Sequence, residues 1–113
     1  MKWMITITDA PFVDGRARER LDLALMALAL DHQVSVVFAG EGVLQLVPDR
    51  QSGPIRDFTR AIGSLALYGA RGVYASAGSL RRYGLTPDQL TVQVEVLDDE
   101  GLARMRQDQE VLS

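Results

Sequence analysis

The chain has 113 residues, 47% of them apolar and 24% charged, with a formal charge of −3 and no cysteine. That length and balance suit one folded domain, residues 1–113, with a modest core, and exclude a disordered chain. The missing thiol excludes a disulfide, a thiolate metal site and any persulfide held by the chain itself, and the negative charge argues against non-specific nucleic-acid binding.

Met1 to Ile5 enters an alternating pattern rather than an apolar leader. The longest apolar run, Leu23 to Leu30, is far too short to span a bilayer. The expected compartment is the cytoplasm, with no membrane contact. Trp3 to Thr8 is rich in β-branched residues and predicts the first strand. Asp9 to Gly15 is a turn-forming loop, and Arg16 to Leu30 predicts the first helix with Asp14 as its N-cap. Leu21, Ala24, Leu25 and Leu28 form one apolar stripe at helical spacing; Leu23, Met26, Ala27 and Leu30 form a second. A surface helix needs only one. The second stripe is therefore expected to meet another subunit; the alternative is a helix sandwiched within its own domain.

Gln33 to Ala39 is nearly continuously apolar, as a parallel strand covered on both faces should be. Gly40-Glu41-Gly42 breaks it, and Val43 to Val47 predicts a short apolar turn or helix. Pro48 to Pro54 is a breaker-rich loop, expected to be mobile. Ile55 to Tyr68 predicts the next helix, with Pro54 suited to its first turn and Gly69 to its end. Gly72 precedes the apolar pair Val73-Tyr74, which predicts a buried strand, followed by a tight turn of small residues from Ala75 to Ser79 and a short basic helix closed by Gly84. Leu85 to Leu90 is a loop or helical turn. Thr91 to Leu97 alternates strictly and predicts a strand near a sheet edge. Asp98 to Gln107 predicts a weakly amphipathic helix, and Glu110 to Leu112 a last short strand.

This alternation predicts a three-layer α/β fold: a mostly parallel, flavodoxin-like sheet of about five strands with helices on both faces. In that order the first and third strands lie side by side. The loop Asp9 to Gly15 and the turn Ala75 to Ser79 would then share one crevice at the strands' carboxyl ends.

Most candidate chemistry in that crevice fails on its own terms. Gly40 and Gly42 begin a dinucleotide pattern, but Gln45 stands where the third glycine belongs, which leaves a structural turn. Ser76 and Ser79 are the hydroxyls at the turn, and a serine nucleophile needs a positioned base. The sole histidine, His32, falls at the opposite, amino end of the sheet, where it is expected to interact with the end of the first helix. One histidine without cysteine offers little for a transition metal. Asp9, Asp14 and Glu41 suit helix caps better than acid–base work. Arg71, Arg81 and Arg82 read as a solvated face, the alternative being a docking surface for RNA or an acidic partner. No catalytic residue, cofactor or metal ligand is assigned.

Two stretches carry a resemblance. Glu41-Gly42-Val43-Leu44-Gln45-Leu46 resembles the (D/E)-G-V-(F/Y)-Q-L segment of the TusC/DsrF family, part of the DsrE-like group. Val73-Tyr74 through Ser79-Leu80-Arg81-Arg82-Tyr83-Gly84-Leu85 resembles that family's strand followed by S-L-x-x-R-G-L. Ala10-Pro11, Gly15 and Arg18 to Asp22 are similar to its opening, and Leu65 to Gly69 to its L-G-L-Y helix end. The chain departs from the pattern at Leu44, in place of an aromatic, at Tyr83, in place of arginine, and in an early end at Ser113.

The resemblance implies a subunit of a cytoplasmic sulfurtransferase complex, a sulfur relay that passes persulfide between cysteines. It implies TusD/DsrE-like and TusB/DsrH-like partners in a hetero-oligomer, a dimer of heterotrimers, and a TusE/DsrC-like acceptor reached through the complex. Such relays serve 2-thiolation of the tRNA wobble uridine or sulfur oxidation; the chain's length favours tRNA 2-thiolation. The family places the reactive cysteine on the DsrE-type subunit, and some TusC-type chains carry one near the place of Ser76. Here the chain would be non-catalytic. Its family-motif and interface candidates are Gly42, Val43, Gln45, Leu46, Ser76, Ser79, Leu80, Arg81 and Arg82, with Leu23, Met26 and Leu30 on the first helix. Two other readings stay open: a self-assembling DsrE-like domain that binds a small ligand, and an enzyme using Ser76 or the crevice carboxylates.

Overall fold

A computed structural model describes residues 2–8, 16–46, 72–90 and 94–112. The expected loops at 9–15 and 48–54, the helix at 55–68, Arg71 and the first three residues of the strand begun at Thr91 lie outside the described residues.

Five strands form one sheet: β1 (Lys2–Ile7), β2 (Gln33–Phe38), β3 (Gly72–Ser76), β4 (Glu95–Leu97) and β5 (Glu110–Leu112). Their order is β4-β3-β2-β1-β5, and every neighbouring pair is parallel. Three helices are described: α1 (Arg16–Ala29), α2 (Ala77–Arg82) and α3 (Asp99–Asp108), with 3-10 segments at Gly40–Leu46 and Pro87–Gln89. None is long and apolar enough to cross a membrane.

The α/β class and the parallel sheet agree with the pattern in the sequence; the expected pairing of the first and third strands does not. β1 lies between β2 and β5, and β2 separates it from β3. The physical reason is in β2 itself. Val34, Ser35, Val36, Val37 and Phe38 are each at most 1% exposed, and only an inner strand roofed on both faces is buried so continuously. Placed at an edge, as a flavodoxin-like order requires, β2 would expose part of that surface. The edge goes instead to β4, where Glu95 is exposed and Val96 and Leu97 are half-buried.

Strand register sorts the side chains into two layers. Ile5 pairs with Val36 and Ile7 with Phe38, and these join Ala75 in one cluster with Leu21, Ala24, Ala27 and Leu28 of α1, Val43 and Leu46 of the 3-10 segment, and Leu80 of α2. On the opposite face Met4 and Val37 meet Leu102 of α3, with Tyr74, Leu97 and Met105 packed around them. Helices therefore cover both faces.

The first helix resolves its two stripes unequally. Ala27 turns into the core at 1% exposure, Leu23 is half-buried against it, and Met26 and Leu30 stand out at 56% and 64%. The helix ends with Asp31 at φ 65°, while the His32 N–H reaches back to the Ala27 carbonyl at 3.1 Å, the backward bond of a left-handed helix stop. The His32 ring then stacks on Trp3, with centroids 4.5 Å apart and planes 15° from parallel. His32 is thus held at the amino end of β1 and β2, far from the strand-end turn.

Candidate functional site

At the carboxyl edge of the sheet the ends of β1, β2 and β3 are fastened to one another. After β2, the Ala39 N–H donates to the Ile7 carbonyl at 3.1 Å, and the Gly42 N–H donates to the Ala39 carbonyl at 2.9 Å. Gly40 takes φ +54°, a conformation that suits glycine. Gly42 lies directly on β1: a Cβ there would sit 2.0 Å from the Ile7 carbonyl oxygen and 2.7 Å from its carbon. No side chain fits in that space, which gives a physical reason for glycine in Glu41-Gly42-Val43. Val43 and Leu46 then fill the core at 0% exposure, and Gln45 is buried at 6%. Glu41 faces solvent and Leu44 is half-exposed.

β3 ends in Ser76, the N-cap of α2. Its backbone is extended (φ −71°, ψ 122°), and its Oγ accepts the Ser79 N–H at 3.2 Å. This is the arrangement that satisfies an orphan donor at a helix start. Ser79 Oγ in turn accepts the Gly40 N–H at 2.8 Å, across 39 positions of sequence. Leu80 anchors the helix at 3% exposure. The helix stops at Gly84, φ +66°, with the Leu85 N–H bonded back to the Leu80 carbonyl at 2.8 Å. Tyr83 caps this end, half-buried against the core, and the Arg82 guanidinium carbon lies 5.7 Å from its ring centroid, within cation–π range.

The structure thus brings Gly42, Val43, Gln45 and Leu46 together with Ser76, Ser79 and Leu80 in one buried unit. It leaves Arg81 and Arg82 exposed on the last turn of α2. Leu23 and Met26 belong to α1, and Leu30 follows its last residue, next to the amino end of β2, away from the turn. The expected crevice between the first and third strands is also revised. The segment after β2 follows a strand that stands between them and is joined to α2 by the Gly40–Ser79 bond, while the loop at 9–15 lies outside the described residues.

Open space lies one strand further out. A cavity of about 250 Å³ is lined by Ala77, Gly78 and Arg81 of α2 and by Asp98, Asp99 and Glu100 at the start of α3. Asp98 is the N-cap of α3: its Oδ1 accepts the Gly101 N–H at 2.8 Å. Asp98 is not among the site candidates the sequence offers. Its signal was an Asp-Asp-Glu run directly after a strand, a common helix start. Arg81 lines the same cavity as these carboxylates, so the expected arginine patch is, at Arg81, a surface of mixed sign.

Ser76 offers little as a nucleophile. It is 5% exposed and serves as a cap. His32, the only histidine, is stacked on Trp3 at the other end of the sheet.

The profile of the DsrE/DsrF-like family matches residues 1–113. A protein named TusC homolog from Pseudomonas aeruginosa is 35% identical over 106 residues, covering 92% of this chain and 89% of that protein. A TusC homolog from Vibrio vulnificus is 37% identical over 91 residues, covering 79% and 77%. Protein TusC of Klebsiella pneumoniae is 36% identical over 98 residues, covering 84% and 82%. Among solved structures, the ychN protein of E. coli superposes with a TM-score of 0.79 at 15% identity, covering 97% of this chain and 95% of that one. A protein of unknown function from Methanobacterium thermoautotrophicum superposes with a TM-score of 0.73 at 19% identity, covering 99% and 98%. These two likenesses are of fold alone.

Proposed function

The chain belongs to the DsrE/DsrF-like family, and on that premise we propose that it is a TusC-like subunit of a sulfur relay that carries no sulfur itself. The observation behind this reading is the state of position 76. The strand end holds a serine, 5% exposed and committed to capping α2, in a chain without any cysteine. A hydroxyl does not form a persulfide, so sulfur has to travel on a partner's thiolate. This chain contributes surface. The locked strand-end turn offers a rigid platform, and the outward Met26 of α1 and Leu30 just after it offer an apolar contact for a neighbouring subunit.

The partners proposed are a cysteine-bearing TusD/DsrE-like subunit and a TusB/DsrH-like subunit, in a cytoplasmic dimer of heterotrimers that hands sulfur to a TusE/DsrC-like acceptor. The three curated relatives carry the TusC name, which supports tRNA wobble-uridine 2-thiolation over sulfur oxidation as the destination. Co-expression with the two related subunits of the same organism tests this reading. The three chains are expected to co-elute as one assembly. A chain that stays free of both at micromolar concentration contradicts the proposal, and a homotrimer or homohexamer with saturable ligand binding identifies a self-assembling domain instead.

A further inference from the structure

We draw no further inference here: the strongest candidate, the cavity of about 250 Å³ between α2 and the start of α3, is lined by exposed carboxylates and Arg81, and nothing in the structure shows what ligand would fill it.

Discussion

The Gly40 N–H donates to Ser79 Oγ at 2.8 Å, and this one bond joins the segment after β2 to the helix after β3. Ser79 also gives its own N–H to Ser76 Oγ at 3.2 Å. One serine thus couples the cap of α2 to a neighbouring strand end. Ser79→Ala removes the acceptor and leaves the Gly40 N–H partly buried without that partner. The expected loss is roughly 1–2 kcal/mol in urea unfolding. Amide exchange at Gly40 should quicken by more than global destabilisation alone explains, and Ser79→Thr should restore part of the protection. Unchanged exchange at Gly40 in the alanine variant would show that the bond does not hold the turn.

The two glycines of this region should respond oppositely to alanine. At Gly42 a methyl group would lie 2.0 Å from the Ile7 carbonyl oxygen, so β1 or the 3-10 segment has to move. A cost of about 3 kcal/mol or more is expected, from backbone displacement in a packed core. At Gly78, on the exposed first turn of α2, the nearest atom to a new Cβ is Ser76 Oγ at 4.0 Å. Gly78→Ala should be neutral or stabilise by up to about 1 kcal/mol through helix propensity. Thermal melts of the two variants check the contrast, and similar melting temperatures would refute it.

Ser76→Cys would place the chain's only thiol at the strand end. Because Ser76 is 5% exposed, that thiol should react slowly with an aromatic disulfide reagent in the native protein and rapidly in denaturant. Fast native labelling would show that the strand end is open to solvent.

Met26 and Leu30 separate interface from core. Each is more than half exposed, so Met26→Asp and Leu30→Asp should change the stability of the isolated chain by no more than about 0.5 kcal/mol. If α1 meets a partner subunit, the same variants should weaken assembly by about tenfold or more, since a charge placed in an apolar contact is left without a partner. Native mass spectrometry of the co-expressed complex reads this directly, and full assembly of both variants would remove α1 from the interface.

How much of this could be read from the sequence depends on the range of the interactions involved. The first helix, the strand at Gln33 and the helix expected from Asp98 follow from periodicity over a few residues, and they appear within one or two positions of the expected bounds. Strand order is a long-range property. The unbroken burial of Val34 to Phe38 is legible as a covered strand, but which strands flank it is set by contacts distant in sequence. The Gly40–Ser79 bond spans 39 positions and leaves no periodic trace. Neither does the stacking of His32 on Trp3. Gly42, in contrast, stands out in the family motif, and the structure supplies the reason: the carbonyl of Ile7 lies against it.

Under the proposed function this chain takes part in sulfur transfer without carrying sulfur. The rate at which a persulfide-loaded TusD/DsrE-like subunit, bound to its TusB/DsrH-like neighbour, delivers sulfur to the TusE/DsrC-like acceptor, with and without this chain, tests that role. Transfer is expected to depend on the chain, with persulfide on the partner's cysteine and none on this chain. Transfer at the same rate when the chain is omitted would contradict it.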